Sequence, residues 1–163
     1  LQAIPSLPAA VRATLRYLLV GSGKLAAYLK LAKKLGIAAQ VSIVGGRDDV
    51  PQLLAAADLM LHPAYRESAG YTLLEAVVAG LPVLATETCG YAYHIQQANA
   101  GVVCPEPFSQ DTLNKLLADT LGKLPKADWS ANGLAYGADD SLYTMPQAAA
   151  DFIQRFENGT PRG

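Results

Sequence analysis

The chain has 163 residues, of which 51% are apolar and only 17% charged, where ordinary domains carry roughly a quarter charged residues. Its 13 basic and 14 acidic side chains leave a net charge of -1, which excludes an electrostatic case for nucleic acid, and no polybasic cluster argues for anionic lipid. The length allows one domain with a real core, and the low charge fits a sheet buried on both faces or a surface that meets something else.

The elements follow in order. Residues 1–15 read as the end of a helix and a loop, broken by Pro5 and Pro8. Tyr17 to Val20 is a short apolar run closed by Gly21-Ser22-Gly23, which predicts a strand and a glycine turn. Lys24 to Leu35 has helical periodicity, with Gly36 where a left-handed C-cap belongs. Val41 to Val44 is the next strand and Gly45-Gly46-Arg47 its exit loop. Asp48 or Asp49 can cap a helix over 50–57. Leu59 to Leu61 is a third strand, followed by a loop from His62 to Gly70, a helix over 71–79 and a C-cap at Gly80. Pro82 to Ala85 is a fourth strand. A loop and short helix lead to a strand over 101–104, and Ser109 starts a helix to 121. Beyond Lys126 only helices are expected, the last from Pro146 to Phe156.

Short apolar strands alternating with helices predict an α/β fold with a Rossmann-like parallel sheet and right-handed crossovers. Ligands in such folds sit beyond the carboxyl ends of the strands. The loops at 21–24, 45–49, 62–71 and 86–91 are therefore the ones to search.

No stretch reaches the ~20 apolar residues of a spanning helix, and no signal peptide is visible. The chain opens on Leu1, and its methionines are Met60 and Met145; it is expected to be a piece of a longer protein. Cys89 and Cys104 lack metal-ligand spacing and read as free thiols of a reducing compartment.

Gly21-Ser22-Gly23-Lys24 is not a phosphate loop of the Walker type, because Leu18 stands where the first glycine belongs and Leu25 where Ser or Thr belongs. Ala26 breaks the dinucleotide fingerprint. The turn reads as an ordinary strand-to-helix connection that can still line a cleft. The loop from His62 to Glu75 says more. Gly70 allows close backbone approach, and a helix starting near Tyr71 turns free N–H groups, from Gly70 to Leu73, toward the cleft. That is a diphosphate site made of backbone and dipole. A carboxylate at Glu75 can accept two hydrogen bonds from a cis-diol such as ribose, and Glu67 lies farther out, where a sugar ring would sit. Two carboxylates also invite a glycosidase reading, but a pair divided between a loop and a helix terminus favours nucleotide-sugar chemistry.

The segment from Ala57 through His62-Pro63-Ala64-Tyr65-Arg66-Glu67 to Glu75-Ala-Val-Val-Ala-Gly-Leu-Pro-Val83 resembles the E-x7-E region of the retaining GT-B glycosyltransferases of family 4. Within that family the chain is similar to the bacterial lipopolysaccharide core heptose (alpha-1,3) glucosyltransferases. Gly46-Arg47-Asp48-Asp49-Val50, Cys89-Gly90-Tyr91-Ala92, Glu106-Pro107-Phe108-Ser109 and Leu142-Tyr143 carry the likeness, which covers most of 16–156.

The resemblance implies a C-terminal donor half. Residues 1–124 would be the Rossmann-like nucleotide-sugar domain without its first strand–helix unit. Residues 125–163 would be helices returning toward an N-terminal domain that holds the acceptor. It implies UDP-glucose or a similar nucleotide sugar as donor and a lipopolysaccharide core heptose as acceptor. It also implies no cofactor or metal, and peripheral association with the cytoplasmic face of the bacterial inner membrane. Glu67 would stand at the reaction centre and, with Ser68, Ala69 and Gly70, contact the donor sugar. The N–H groups of Tyr71, Thr72 and Leu73 would hold the distal phosphate, and Glu75 the ribose. Gly46 and Arg47 would contact uracil, largely through backbone, and Gly21 and Gly23 would line the cleft. The family's basic residue on the diphosphate belongs to the absent first unit, and Lys24 does not take that role. By itself the chain is expected to be inactive in transfer and at best a weak binder of UDP.

Three other readings stay open: a family-4 transferase with another nucleotide sugar, a nucleotide-sugar 2-epimerase, and a non-catalytic nucleotide-binding or receiver-like α/β module. His62 and His94 read as structural, Trp129, Tyr136 and Tyr143 as packing for the C-terminal helices, and Phe152 and Phe156 as exposed.

Overall fold

In the computed structural model, residues 1–23, 25–124 and 127–157 are described. Lys24 and the last six residues lie outside them, as does the side chain of Phe156. The elements run α1 (Ala9–Thr14), β1 (Tyr17–Val20), α2 (Leu25–Lys34), β2 (Val41–Gly45), α3 (Val50–Ala56), β3 (Met60–His62), α4 (Tyr71–Val78), β4 (Val83–Thr86), α5 (Ala92–Gln97), β5 (Gly101–Cys104), α6 (Gln110–Leu121), α7 (Ala127–Gly137) and α8 (Met145–Glu157), with short 3-10 turns at Ile4–Ser6 and Asp140–Tyr143.

The N-terminal prolines initiate structure where the sequence suggested that they break it. Pro5 occupies the first turn of the 3-10 segment, and Pro8 is the N-cap of α1. A ring that fixes φ and lacks an N–H is tolerated where no donor is needed. Asp49 does occupy the N-cap of α3, but its carboxylate caps nothing. It is taken by the Arg47 guanidinium in a bidentate pair, Nε to Oδ1 at 2.7 Å and Nη2 to Oδ2 at 2.6 Å. A charge-assisted fork outcompetes a single bond to a backbone N–H. Ser109 caps α6 as expected, its Oγ accepting from the Thr112 N–H at 3.3 Å.

Every strand pairing is parallel, but the strands form two ladders, β1–β2 and β3–β4–β5. The single sheet expected from the alternation is therefore split between β1 and β3. β1 turns Leu18 and Val20 outward, and β2 turns Val44 outward.

β4 is the hub of the larger ladder, with all four residues buried. Val83 and Ala85 face a cluster with Leu73, Ala76 and Val77 of α4 and Ile95 of α5. Leu84 faces the opposite side, with Cys104, Leu113 and Leu117. The period-2 alternation of a strand thus serves helices on both faces. Each fully buried Leu, Ile or Val contributes about 1.5 to 3 kcal/mol. A third cluster, around Ile4, Ala32, Ile37 and Val41, seats β2 and α2. α7 packs on α4 so closely that a Cβ on Gly133 would lie 2.3 Å from the Val77 carbonyl oxygen.

Candidate functional site

The loops past the strand ends are joined in two pairs. Past β1, the Gly21 N–H donates to the Gly45 carbonyl at 2.8 Å. Gly21, Gly23 and Gly45 all have positive φ, at 138°, 124° and 73°. A Cβ on Gly21, Gly23 or Gly46 would meet nothing within 4 Å. These glycines therefore leave open space and serve backbone conformation, not tight packing. Arg47 stands here with its guanidinium committed to Asp49, so the loop offers a base mainly its backbone.

Past β3, the loop from Pro63 leads to α4. Gly70 is the N-cap of α4, in the left-handed region at φ 81°, a conformation that favours glycine. Helix geometry leaves the N–H groups of Gly70, Tyr71 and Thr72 without an acceptor inside α4. Leu73 departs from the expectation that its N–H is free. It donates to the Gly70 carbonyl at 2.9 Å, because the first turn tightens into 3-10 geometry. The terminus therefore has one free donor fewer than the sequence suggests. Tyr71 is 64% exposed beside it, with its ring 5.0 Å from that of Tyr91 in an edge contact.

The two carboxylates flank that terminus. Glu75 is exposed on α4. Glu67 is partly buried, and its Oε1 accepts the Ser68 N–H at 3.0 Å. Its Oε2 is 3.9 Å from Nε2 of His62, the last residue of β3. Burial holds the His62 pKa below its ordinary value, against the opposing pull of the Glu67 charge.

The loop past β4 holds the Glu67 loop from behind. Thr86 Oγ1 donates to the Ala64 carbonyl at 2.7 Å, and the Tyr91 N–H donates to the Ala69 carbonyl at 2.8 Å. Between them Gly90 lies against Ser68, where a Cβ would sit 2.3 Å from the carbonyl oxygen. The strand ends point to 86–91 as a loop to search, but no signal in the sequence assigns Thr86 or Gly90 a task, since the contact is made across more than twenty residues. Cys89, buried below this loop, has its thiol pKa pushed up by burial and further by the Glu67 charge. Cys89 and Cys104 are both free and buried. His94 is structural in its contacts: Nδ1 lies 2.8 Å from the Tyr136 hydroxyl, which itself donates to Gln97 Oε1 at 2.9 Å. Among the described residues, no cluster of three or more His, Cys, Asp or Glu side chains could hold a metal, and no helix is long and apolar enough to cross a membrane.

Parallel strands layered between helices, with a glycine-capped helix terminus flanked by Glu67 and Glu75, form the α/β architecture of the GT-B glycosyltransferases. The family model described as glycosyl transferases group 1 matches residues 1–133, and the chain belongs to that family. It is 47% identical over 154 residues to the lipopolysaccharide glucosyltransferase WaaG of Escherichia coli K12, covering 94% of this chain and 41% of that protein. It is 40% identical over 90 residues to the N-acetyl-alpha-D-glucosaminyl L-malate synthase of Bacillus anthracis, covering 55% of this chain and 24% of that protein. A crystal structure of WaaG, a glycosyltransferase involved in lipopolysaccharide biosynthesis, superposes with a TM-score of 0.88 at 47% identity over 93% of this chain and 41% of that one. Anabaena HepE in complex with UDP-glucose superposes with a TM-score of 0.73 over 94% of this chain and 43% of that one, at 24% identity, a likeness of fold. The chain thus spans about two fifths of the length of WaaG.

Proposed function

We propose that this chain is the donor-nucleotide-sugar domain of a retaining glycosyltransferase that moves glucose from UDP-glucose to a heptose of the lipopolysaccharide inner core. The observation that carries the reading is the α4 N-terminus. Left-handed Gly70 opens it to a diphosphate, with Glu67 on one side and Glu75 on the other, in a chain 47% identical to a lipopolysaccharide glucosyltransferase.

The roles follow from the chemistry of each group. Glu75 accepts the ribose hydroxyls, and the N–H groups of Gly70, Tyr71 and Thr72 take the distal phosphate. Glu67 and the Ser68 to Gly70 backbone meet the sugar. Gly46 and Arg47 present backbone to the uracil, and Gly21 and Gly23 line the cleft. As the glycosidic bond breaks, negative charge gathers on the departing UDP, where the fixed dipole of α4 stabilises it without reorganisation. No metal is needed for this step. The acceptor would be held by the remaining length that relatives possess, with residues 125–163 returning toward it. Closure of the two parts would align the acceptor and exclude water. The intact enzyme would work at the cytoplasmic face of the inner membrane.

Calorimetric titration of the full-length protein with UDP, UDP-glucose and ADP-glucose tests the donor assignment. UDP-glucose should bind and ADP-glucose should not. Glu75→Ala should weaken UDP itself by roughly 10- to 100-fold, the worth of one or two hydrogen bonds to a charged group. Equal UDP affinity in wild type and Glu75→Ala would sink the ribose assignment.

A further inference from the structure

We propose that the loop over 86–91 sets the sugar half of the donor site, with Thr86 and Gly90 as its positioning residues; the proposal rests on the donor-site reading above. Glu67 cannot fix its own place. Its carboxylate is bonded to the N–H of the next residue, and His62 stands beyond hydrogen-bond distance. The course of the backbone over 64–70 therefore decides where Glu67 and Ser68 stand.

That backbone is gripped on both sides of Glu67. Thr86, itself 1% exposed, holds the Ala64 carbonyl, and the Tyr91 N–H holds the Ala69 carbonyl. Gly90 fills the space between with no side chain at all. A Cβ there would come 2.3 Å from the Ser68 carbonyl oxygen and 3.5 Å from the Ala69 Cα. Both neighbours are backbone atoms, so relief requires the loop to retreat by the better part of an ångström. Gly90 is not among the glycines with positive φ; the requirement is for space, not for conformation.

The diphosphate half is anchored differently. Tyr71 and Thr72 ride on α4, whose Leu73, Ala76 and Val77 are fully buried. Only the Gly70 N–H shares a peptide unit with the gripped Ala69 carbonyl, so a disturbance at position 90 should displace the sugar contacts and leave the two phosphate donors on α4, Tyr71 and Thr72, in place. This separation distinguishes a positioning role from a merely structural one.

The experiment compares Gly90→Ala, Thr86→Val and Thr86→Ser in the full-length protein, by calorimetry with UDP and UDP-glucose and by steady-state kinetics. Gly90→Ala should lower kcat/KM for UDP-glucose on the order of 100-fold, the size of effect a 1 Å misplacement produces, while UDP affinity, still held by Tyr71 and Thr72, falls far less. Thr86→Val should move the same way by less, and Thr86→Ser, which keeps the hydroxyl donor, should restore activity. Wild-type kcat/KM in Gly90→Ala, or equal losses for UDP and UDP-glucose, overturns the proposal. If Gly90→Ala does not fold, the Thr86 pair decides: Thr86→Ser as impaired as Thr86→Val overturns it too. A wild-type protein that fails to bind UDP-glucose would instead overturn the donor-site reading beneath it.

Discussion

His62 Nε2 stands 3.9 Å from Glu67 Oε2, and that buried nitrogen has no hydrogen-bond partner among the described residues. A buried polar atom without a partner costs about 1 to 3 kcal/mol. It is retained where a small shift or an arriving ligand can satisfy it. An imidazole kept neutral by burial can donate from Nε2 to the carboxylate once Glu67 moves in.

His62→Phe should therefore separate stability from function. Replacing the unsatisfied ring with an apolar one of similar size should leave the thermal unfolding midpoint unchanged or raise it. Turnover should fall by roughly tenfold, the worth of about one hydrogen bond. Differential scanning fluorimetry beside steady-state kinetics checks both arms. A parallel fall in stability and turnover would show that the ring serves only packing.

Glu67→Ala should lower turnover strongly and change UDP affinity little, because the proposed donor site puts the sugar and not the nucleotide against position 67. Kinetics with UDP-glucose and calorimetry with UDP provide the comparison. Loss of UDP affinity as large as that of Glu75→Ala would remove Glu67 from the sugar side.

Gly133→Ala tests the seat of α7. In an exposed helix this change stabilises by about 1 kcal/mol. Here the new Cβ would meet the Val77 carbonyl oxygen at 2.3 Å, and overpacking of that kind costs about 1 to 3 kcal/mol. The net sign should be destabilising, read as a lower urea midpoint at an unchanged slope.

His94 gives a pH test. Burial lowers its pKa from 6.5, so below that value the unfolded chain binds a proton that the folded chain resists. Stability contributed by neutral His94 is complete above about pH 6.5 and is lost as pH falls toward the depressed folded value. The mechanism is local. Tyr136 donates to Gln97, so it accepts from Nδ1–H of His94, and the extra proton must go to Nε2 within the aromatic surround of Tyr91 and Tyr93. The unfolding midpoint should drop as pH falls below about 6.5 in wild type, and His94→Phe should flatten that slope. An unchanged slope in the variant would assign the pH dependence to other groups, His62 first among them.

The features legible in the residues alone are local in origin. Strand runs such as Val41 to Val44 and Gly101–Cys104 announce themselves by composition, and Gly36 and Gly80 mark left-handed C-caps, where φ is positive and few other residues fit. Glu67 and Glu75 fall on either side of the α4 terminus because eight positions in the chain place them there. Packing sets whatever depends on neighbours distant in sequence or on competition among partners. Arg47 claims the Asp49 carboxylate that spacing offered to a helix cap. The first turn of α4 absorbs the Leu73 N–H. The strands divide into two ladders. Above all, the place of Glu67 rests on Thr86, Gly90 and Tyr91. Periodicity and turn chemistry encode φ, ψ and the buried face of each element. Which two backbones come within 3 Å is settled only when those faces pack.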